Sequence, residues 1–188
     1  TRVVTVDLHA GQIQGFFDIP VDHLAAAPVL ASYFREQEIE DLVVVSPDLG
    51  GVTRARIMAD FLRAPIAIIE KRRPCPGCAE VMNLIGDVEG RTALLIDDIV
   101  DTAGSLCEGA KALKDRGAKR VLAACSHAIL SDPAVERLNA SVIDQLVITD
   151  SIPISPEKQS DKFVTLSLAQ SLADVIVRIQ SHRSVSLL

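Results

Sequence analysis

Tryptophan is absent from this sequence, and tyrosine occurs once and phenylalanine five times. A core with so few aromatics has to be aliphatic, and Val, Ile, Leu and Ala suit strands buried on both faces of a parallel sheet. Equally lacking is any apolar run near the roughly 20 residues that a membrane-spanning helix needs. No charged-then-apolar leader resembles a signal peptide, so a cytoplasmic protein with no membrane partner is expected. The first residue is Thr1 rather than Met, which leaves room for a start upstream. Basic excess is missing too. A net charge of −6 gives no general attraction to nucleic acid, so any phosphate recognition has to be local.

Cysteine is scarce, at four residues: Cys75, Cys78, Cys107 and Cys125. An aliphatic core of this size does not need disulfides. Cys75 and Cys78 have CxxC spacing, but a zinc site would need two further ligands at comparable spacing. An incidental loop pair is the plainer reading. Cys107 and Cys125 fall in a predicted helix and a predicted strand, where small buried thiols usually sit.

What is there is regular alternation. The 188 residues, 48% hydrophobic and 23% charged, suffice for one ordinary soluble domain, or two small ones. Short aliphatic runs predict strands over Val3–Asp7, Leu42–Ser46, Ile66–Glu70, Thr92–Asp97, Arg120–Ser126 and Gln145–Thr149. Amphipathic stretches lie between them. In Ser105–Arg116, Leu106, Ala110 and Leu113 share one face, and Gly117 ends the run. Leu168, Leu172, Val175, Ile176 and Ile179 pattern a final helix, and Ser151–Lys162 is the longest polar connection. The expected fold class is α/β, a mostly parallel sheet flanked by helices. Ligands of such sheets bind beyond the carboxyl ends of the strands.

Four strand ends carry unusual chemistry. After Thr92–Ile96 come Asp97, Asp98 and Asp101, then Thr102, Ala103, Gly104 and Ser105 at a helix start. Adjacent ionised carboxylates accept hydrogen bonds from a vicinal diol. The small turn offers hydroxyls and backbone N–H groups to a phosphate. Such acids could instead only cap the helix, but three within five residues exceed what capping needs. After the second strand, Gly50 and Gly51 permit the close backbone approach that a diphosphate requires. Asp48 beside them could hold a divalent cation, or the segment could be an ordinary strand-to-helix turn. Asp7 and His9, two apart in a strand, would face one side and suit a metal or a phosphate. A structural histidine is the alternative there. Lys71, Arg72 and Arg73 open a Pro- and Gly-containing loop that reads as a lid over phosphates, or as a solvated surface.

Together these segments resemble the ribose-phosphate diphosphokinase family. TVDLHAGQIQGFFDIPVDHL, VVVSPDLGGVTRARIMADFL, IAIIEKRRP, EVMNLIGDVEGRTALLIDDIVDTAGS and the terminal SVSLL carry the likeness, in the family's order and spacing. The DDIVDTAGS element alone is shared with all type I phosphoribosyltransferases. The resemblance implies a type I phosphoribosyltransferase-like fold and a transferase of nucleotide biosynthesis. Its reaction moves the diphosphoryl group of MgATP to the anomeric hydroxyl of ribose 5-phosphate, giving 5-phosphoribosyl 1-diphosphate and AMP. It implies Asp97 and Asp98 at the ribose hydroxyls, Asp101, Thr102, Ala103, Gly104 and Ser105 at the 5-phosphate, and Gly50 and Gly51 at the diphosphate. Magnesium is the implied cofactor, with His9 and Asp48 as its associated residues and Asp7 a weaker third. Lys71 and Arg73 are implied as the loop cations acting on the transition state. Ser184 and Ser186 match the family's carboxy-terminal regulatory region.

The likeness further implies a missing amino-terminal part that supplies the adenine pocket. Residues 1–22 would then end a first phosphoribosyltransferase-like half, 23–165 form the second, and 166–188 make a terminal helix and tail packing on the first. A hexamer is implied by resemblance, with ATP and ribose 5-phosphate as small-molecule partners. Other functions compete. A non-catalytic regulatory relative would tend to lose the lid cations and metal residues, which are intact here. A phosphoribosyltransferase would need its own base-recognition segment, and a related RNA-binding regulator would want a basic face.

Overall fold

The computed structural model describes residues 1–72 and 81–185. Its strands are β1 (Val3–Val6), β2 (Val21–Leu24), β3 (Leu42–Ser46), β4 (Ile66–Arg72), β5 (Val81–Ile85), β6 (Thr92–Val100), β7 (Arg120–Ala128), β8 (Gln145–Thr149) and β9 (Phe163–Leu166). The helices are α1 (Ala27–Glu36), α2 (Val52–Leu62), α3 (Gly104–Asp115), α4 (Ala134–Ala140) and α5 (Ala169–Gln180). Among the described residues, β3 to β9 form one sheet in the order β5-β4-β3-β6-β7-β8-β9, while β1 and β2 pair separately in parallel. Among the described strand pairs of the large sheet, the edge pair β4–β5 is antiparallel and the others are parallel.

Continuous aliphatic runs are explained by burial on both faces. Val43, Val45, Ala93 and Leu95 face one cluster, which Leu106, Ala110 and Leu113 of α3 complete. Val44, Leu94 and Ile96 face the other, closed by Leu30 and Phe34 of α1 and by Ala55 and Met58 of α2. Alternate residues of each strand thus serve opposite layers. Truncating a fully buried Leu such as Leu95 to Ala would cost about 2–5 kcal/mol.

Strand order places the site. The chain leaves β3 through α2 for β4 on one side, and leaves β6 through α3 for β7 on the other. Neighbouring parallel strands β3 and β6, whose connections diverge, create a crevice outside their carboxyl ends. The segments that follow them are residues 47–51 and 101–103.

Differences from the sequence expectations are local. The first strand ends at Val6 rather than Asp7, because Asp7 turns into the left-handed region at φ 40°. The basic strand runs on to Arg72 where it pairs with β5. The long polar connection contains a 3-10 turn, Pro156–Lys158. It is tied down by lysines: Lys158 Nζ donates to the Leu130 carbonyl at 2.8 Å, and Lys162 Nζ to those of Leu138 and Ser141 at 3.0 and 2.9 Å. Those last carbonyls end α4, where a cation meets the negative end of the helix dipole. Cys125 is buried and Cys107 half-buried, both as free thiols. Burial pushes both up from the ordinary thiol range, as befits inert packing groups. Cys75 and Cys78 lie outside the described residues.

Candidate functional site

The nine-residue strand β6 runs on past Leu95, its last residue paired with β3, while β7 pairs with it as far as Val100, and so delivers Asp97 and Asp98 to the crevice. Asp98 has the parity of Leu94 and Ile96, so it points to the layer of α1 and α2. There it meets Arg54, one turn into α2. Arg54 Nη2 donates to Asp98 Oδ2 at 2.5 Å, and Nη1 to Asp97 Oδ1 at 3.4 Å. His9 Nδ1 lies 3.0 Å from the same Asp98 Oδ2. Asp98 is 2% exposed, and a carboxylate so buried is sustained by such charge-assisted bonds.

The two acids titrate apart. Burial, opposed by the Asp98 N–H bond and aided by the Asp98 carboxylate, pushes Asp97 up to about 6. Burial would raise Asp98 as well, but the Arg54 charge and the His9 and Asp97 hydrogen bonds outweigh it and hold Asp98 below the usual range. Like charges side by side separate in this way when one has the better cation.

The turn after β3 is locked from within. Asp48 Oδ1 accepts the Gly51 N–H at 2.8 Å, and Ser46 Oγ donates to the Asp48 carbonyl at 2.7 Å. A Cβ on Gly51 would sit 2.9 Å from Ser46 Oγ, and one on Gly50 3.3 Å from Asp48 Oδ1. Both glycines are therefore there for space. Arg54 Nη1 lies 3.7 Å from the same Gly51 Cβ position, so the guanidinium that bonds the acids of β6 packs beside this turn.

After β6, Asp101 and Thr102 are exposed and Ala103 takes φ 58° just before α3. Among the described residues no side chain caps α3, so the N–H groups of its first turn have no side-chain acceptor there. Arg137 Nη1 donates to the Thr102 carbonyl at 3.0 Å and steadies the turn. Backbone amides, hydroxyls and a positive dipole end suit an anion here.

Asp7 and His9 part company. His9 reaches Asp98, while Asp7 Oδ2 accepts the Ala26 N–H at 3.1 Å and the Ser126 hydroxyl. The expectation that they share one face of a strand is corrected by the turn at Asp7. Asp7 nonetheless lines a cavity of about 460 Å³ with Gly50, Arg54, Met58, Ile96 and Asp97. Among the described residues, no group of three or more His, Cys, Asp or Glu could hold a metal ion, so His9, Asp48 and Asp7 are not gathered into one ligand cage. Magnesium does not demand one. It keeps several waters and substrate oxygens and takes one or two protein groups. The residues fit that mode, since His9 retains Nε2 and Asp48 a second oxygen beyond the bonds described.

The side chain of Lys71, and Arg73 and Ser186 entirely, lie outside what the structure describes. Arg54, Arg137 and Ser126 were not among the expected site residues. A signal existed for Arg54: it precedes the buried Met58 by four residues, on the helix face turned to the sheet.

Among the described residues, no helix is long and apolar enough to cross a membrane. The family model described as phosphoribosyl synthetase-associated domain matches residues 71–188. The ribose-phosphate pyrophosphokinase of Oceanobacillus iheyensis is 58% identical over 187 residues, taking in 100% of this chain and 59% of the relative. The crystal structure of phosphoribosylpyrophosphate synthetase from Mycobacterium smegmatis matches with a TM-score of 0.88 at 40% identity, over 96% of this chain and 59% of that one. Adenine phosphoribosyl transferase from Trypanosoma brucei shares the fold, with a TM-score of 0.52 at 16% identity over 78% and 74% of the two chains. The chain thus spans about 59% of the length of the first two relatives.

Proposed function

Because the chain belongs to the phosphoribosyl synthetase-associated family, we propose that it carries the sugar-phosphate half of a ribose-phosphate diphosphokinase. The reaction takes MgATP and ribose 5-phosphate to 5-phosphoribosyl 1-diphosphate and AMP, in the cytoplasm, for nucleotide biosynthesis. One observation carries this reading: paired carboxylates and an uncapped helix-start turn stand at the crevice between β3 and β6. A vicinal diol next to a phosphate matches that pairing of acceptors and amides.

In this reading Asp97 and Asp98 accept from the ribose hydroxyls, and residues 101–105 hold the 5-phosphate. The anomeric oxygen is thereby fixed facing the Gly50–Gly51 turn, where the diphosphoryl group arrives. Its oxygen bonds to the β-phosphorus as that phosphorus parts from the oxygen bridging to the α-phosphorus. AMP leaves with the bridging oxygen, and the anomeric proton passes to solvent. Positioning and charge neutralisation do most of the work in such transfers. Lys71 and Arg73 supply cations to the transferring group. Magnesium, bound with the nucleotide, would neutralise its oxygens, with His9 and Asp48 as the residues that would hold it and Asp7 a weaker third.

Residues 1–22 are assigned to a first half, 23–165 to the second and 166–188 to a terminal helix packing on the first. The separate β1–β2 pair supports this, as do Ile176 and Val177 of α5, exposed at 58% and 60%. The remainder of such a protein would bring the adenine pocket, and a hexamer the full assembly. The test is AMP formation that depends on ribose 5-phosphate. AMP made equally without the sugar phosphate would refute the reaction.

A further inference from the structure

We propose that Arg54 is the positioning residue of the sugar-binding acids, whose planar fork sets the geometry by which Asp97 and Asp98 recognise a vicinal diol. The inference rests on the reading of those two acids as diol acceptors. Arg54 takes one oxygen from each carboxylate, Asp97 Oδ1 at 3.4 Å and Asp98 Oδ2 at 2.5 Å. Each acid keeps a second oxygen that the guanidinium does not occupy, which makes two acceptors for two adjacent hydroxyls.

Two further bonds make the arrangement rigid. The Asp98 N–H donates to Asp97 Oδ1 at 2.9 Å, so Arg54 and the backbone grip the same oxygen. His9 shares Asp98 Oδ2 at 3.0 Å. Among the described residues, the bonds from Arg54, the Asp98 N–H and His9 all fall on one oxygen of each acid, and the spacing of the other two follows from the fork. A guanidinium holds two acceptors at a fixed separation, whereas an ammonium is a point charge with freely rotating donors. Arg54 also lies beside Gly51, so the helix that begins at the diphosphate turn places the diol acceptors as well. A residue that served only to pin α2 on β6 would need one acid, not both.

The test is calorimetric titration of the 188-residue chain with ribose 5-phosphate and with 2-deoxyribose 5-phosphate, which lacks one hydroxyl of the diol. Wild type, Arg54→Met and Arg54→Lys are compared. Wild type is expected to prefer the diol ligand by tenfold or more, about 1.4 kcal/mol. Arg54→Met should abolish that preference while changing the affinity for the deoxy ligand less than threefold. Arg54→Lys keeps the charge without the fork and should restore less than half of the preference on a logarithmic scale. Wild type without a preference would overturn the diol reading itself. A preference in wild type that survives in Arg54→Met would overturn only the role of Arg54. Should Arg54→Met fail to fold by circular dichroism, Arg54→Lys decides: full preference there refutes the fork, and reduced preference supports it.

Discussion

His9 and Asp98, 89 residues apart in the chain, meet through a 3.0 Å contact between Nδ1 and Oδ2. The histidine side chain is 74% exposed and the carboxylate 3%, so the bond reaches from a surface loop to a buried acid. An ionised Asp98 can only accept, so in the neutral imidazole the proton sits on Nδ1 and the Nε2 lone pair is left for a metal. Exposure makes the structural loss small. His9→Ala is expected to shift Tm by no more than about 2 °C. The same change should weaken Mn2+ binding about tenfold or more in the presence of 5-phosphoribosyl 1-diphosphate, read by water-proton relaxation. Unchanged Mn2+ binding would make His9 a tie for Asp98 and nothing more.

Gly51 is fixed by space rather than by backbone angle. Its added Cβ would come within 2.9 Å of Ser46 Oγ, which is itself bonded to the Asp48 carbonyl. Gly51→Ala should destabilise by about 1–3 kcal/mol, the usual range for overpacking. For a chain of this length that is about 2–12 °C in Tm by calorimetry. Gly15 has nothing within 4 Å, so Gly15→Ala is the control and should lie within about 0.5 kcal/mol of wild type.

The raised pKa of Asp97 has a direction in binding. Below about 6 the acid gains a proton and loses acceptor capacity, so in the proposed role it would no longer serve a diol. Affinity for ribose 5-phosphate should therefore fall as pH drops from 7 to 5. The ligand phosphate titrates near about 6 as well, so wild type is compared with Asp97→Asn. A steeper fall in wild type than in the variant is the expected result. Parallel curves would assign the whole dependence to the phosphate.

Lys71 is the last residue but one of β4, at the mouth of the basic loop. A cation that acts on the transferring group rather than on bound sugar affects the rate alone. Lys71→Ala is expected to lower turnover about 100-fold or more while leaving ribose 5-phosphate affinity within threefold. Equal losses in turnover and affinity would place the lysine in ground-state binding.

Much of this could be read from the chain because the chemistry is local. All six expected strands occur, since runs such as Leu42–Ser46 and Thr92–Ile96 need no partner to be recognised. Strands β2, β5 and β9 were missed. They have four, five and four residues, and β2 and β9 are half-exposed, so neither a buried run nor a clean alternation marks them. At the site, acids and glycines that follow a strand declare themselves by position. Arg54 gave only the weaker signal of its spacing to Met58, because its partners lie 43 and 44 residues on and meet it only once α2 packs against β6. The expected shared strand face of Asp7 and His9 failed for the same kind of reason, the Asp7 side chain being claimed by Ala26 and by Ser126 across the fold.

Titration of the chain with ribose 5-phosphate by calorimetry, alone and as the Asp97→Asn variant, tests the central claim most directly. Saturable binding to one site, weakened tenfold or more in the variant, is the result the account predicts. No saturable binding, or binding that Asp97→Asn leaves untouched, would contradict a sugar-phosphate site at the crevice between β3 and β6.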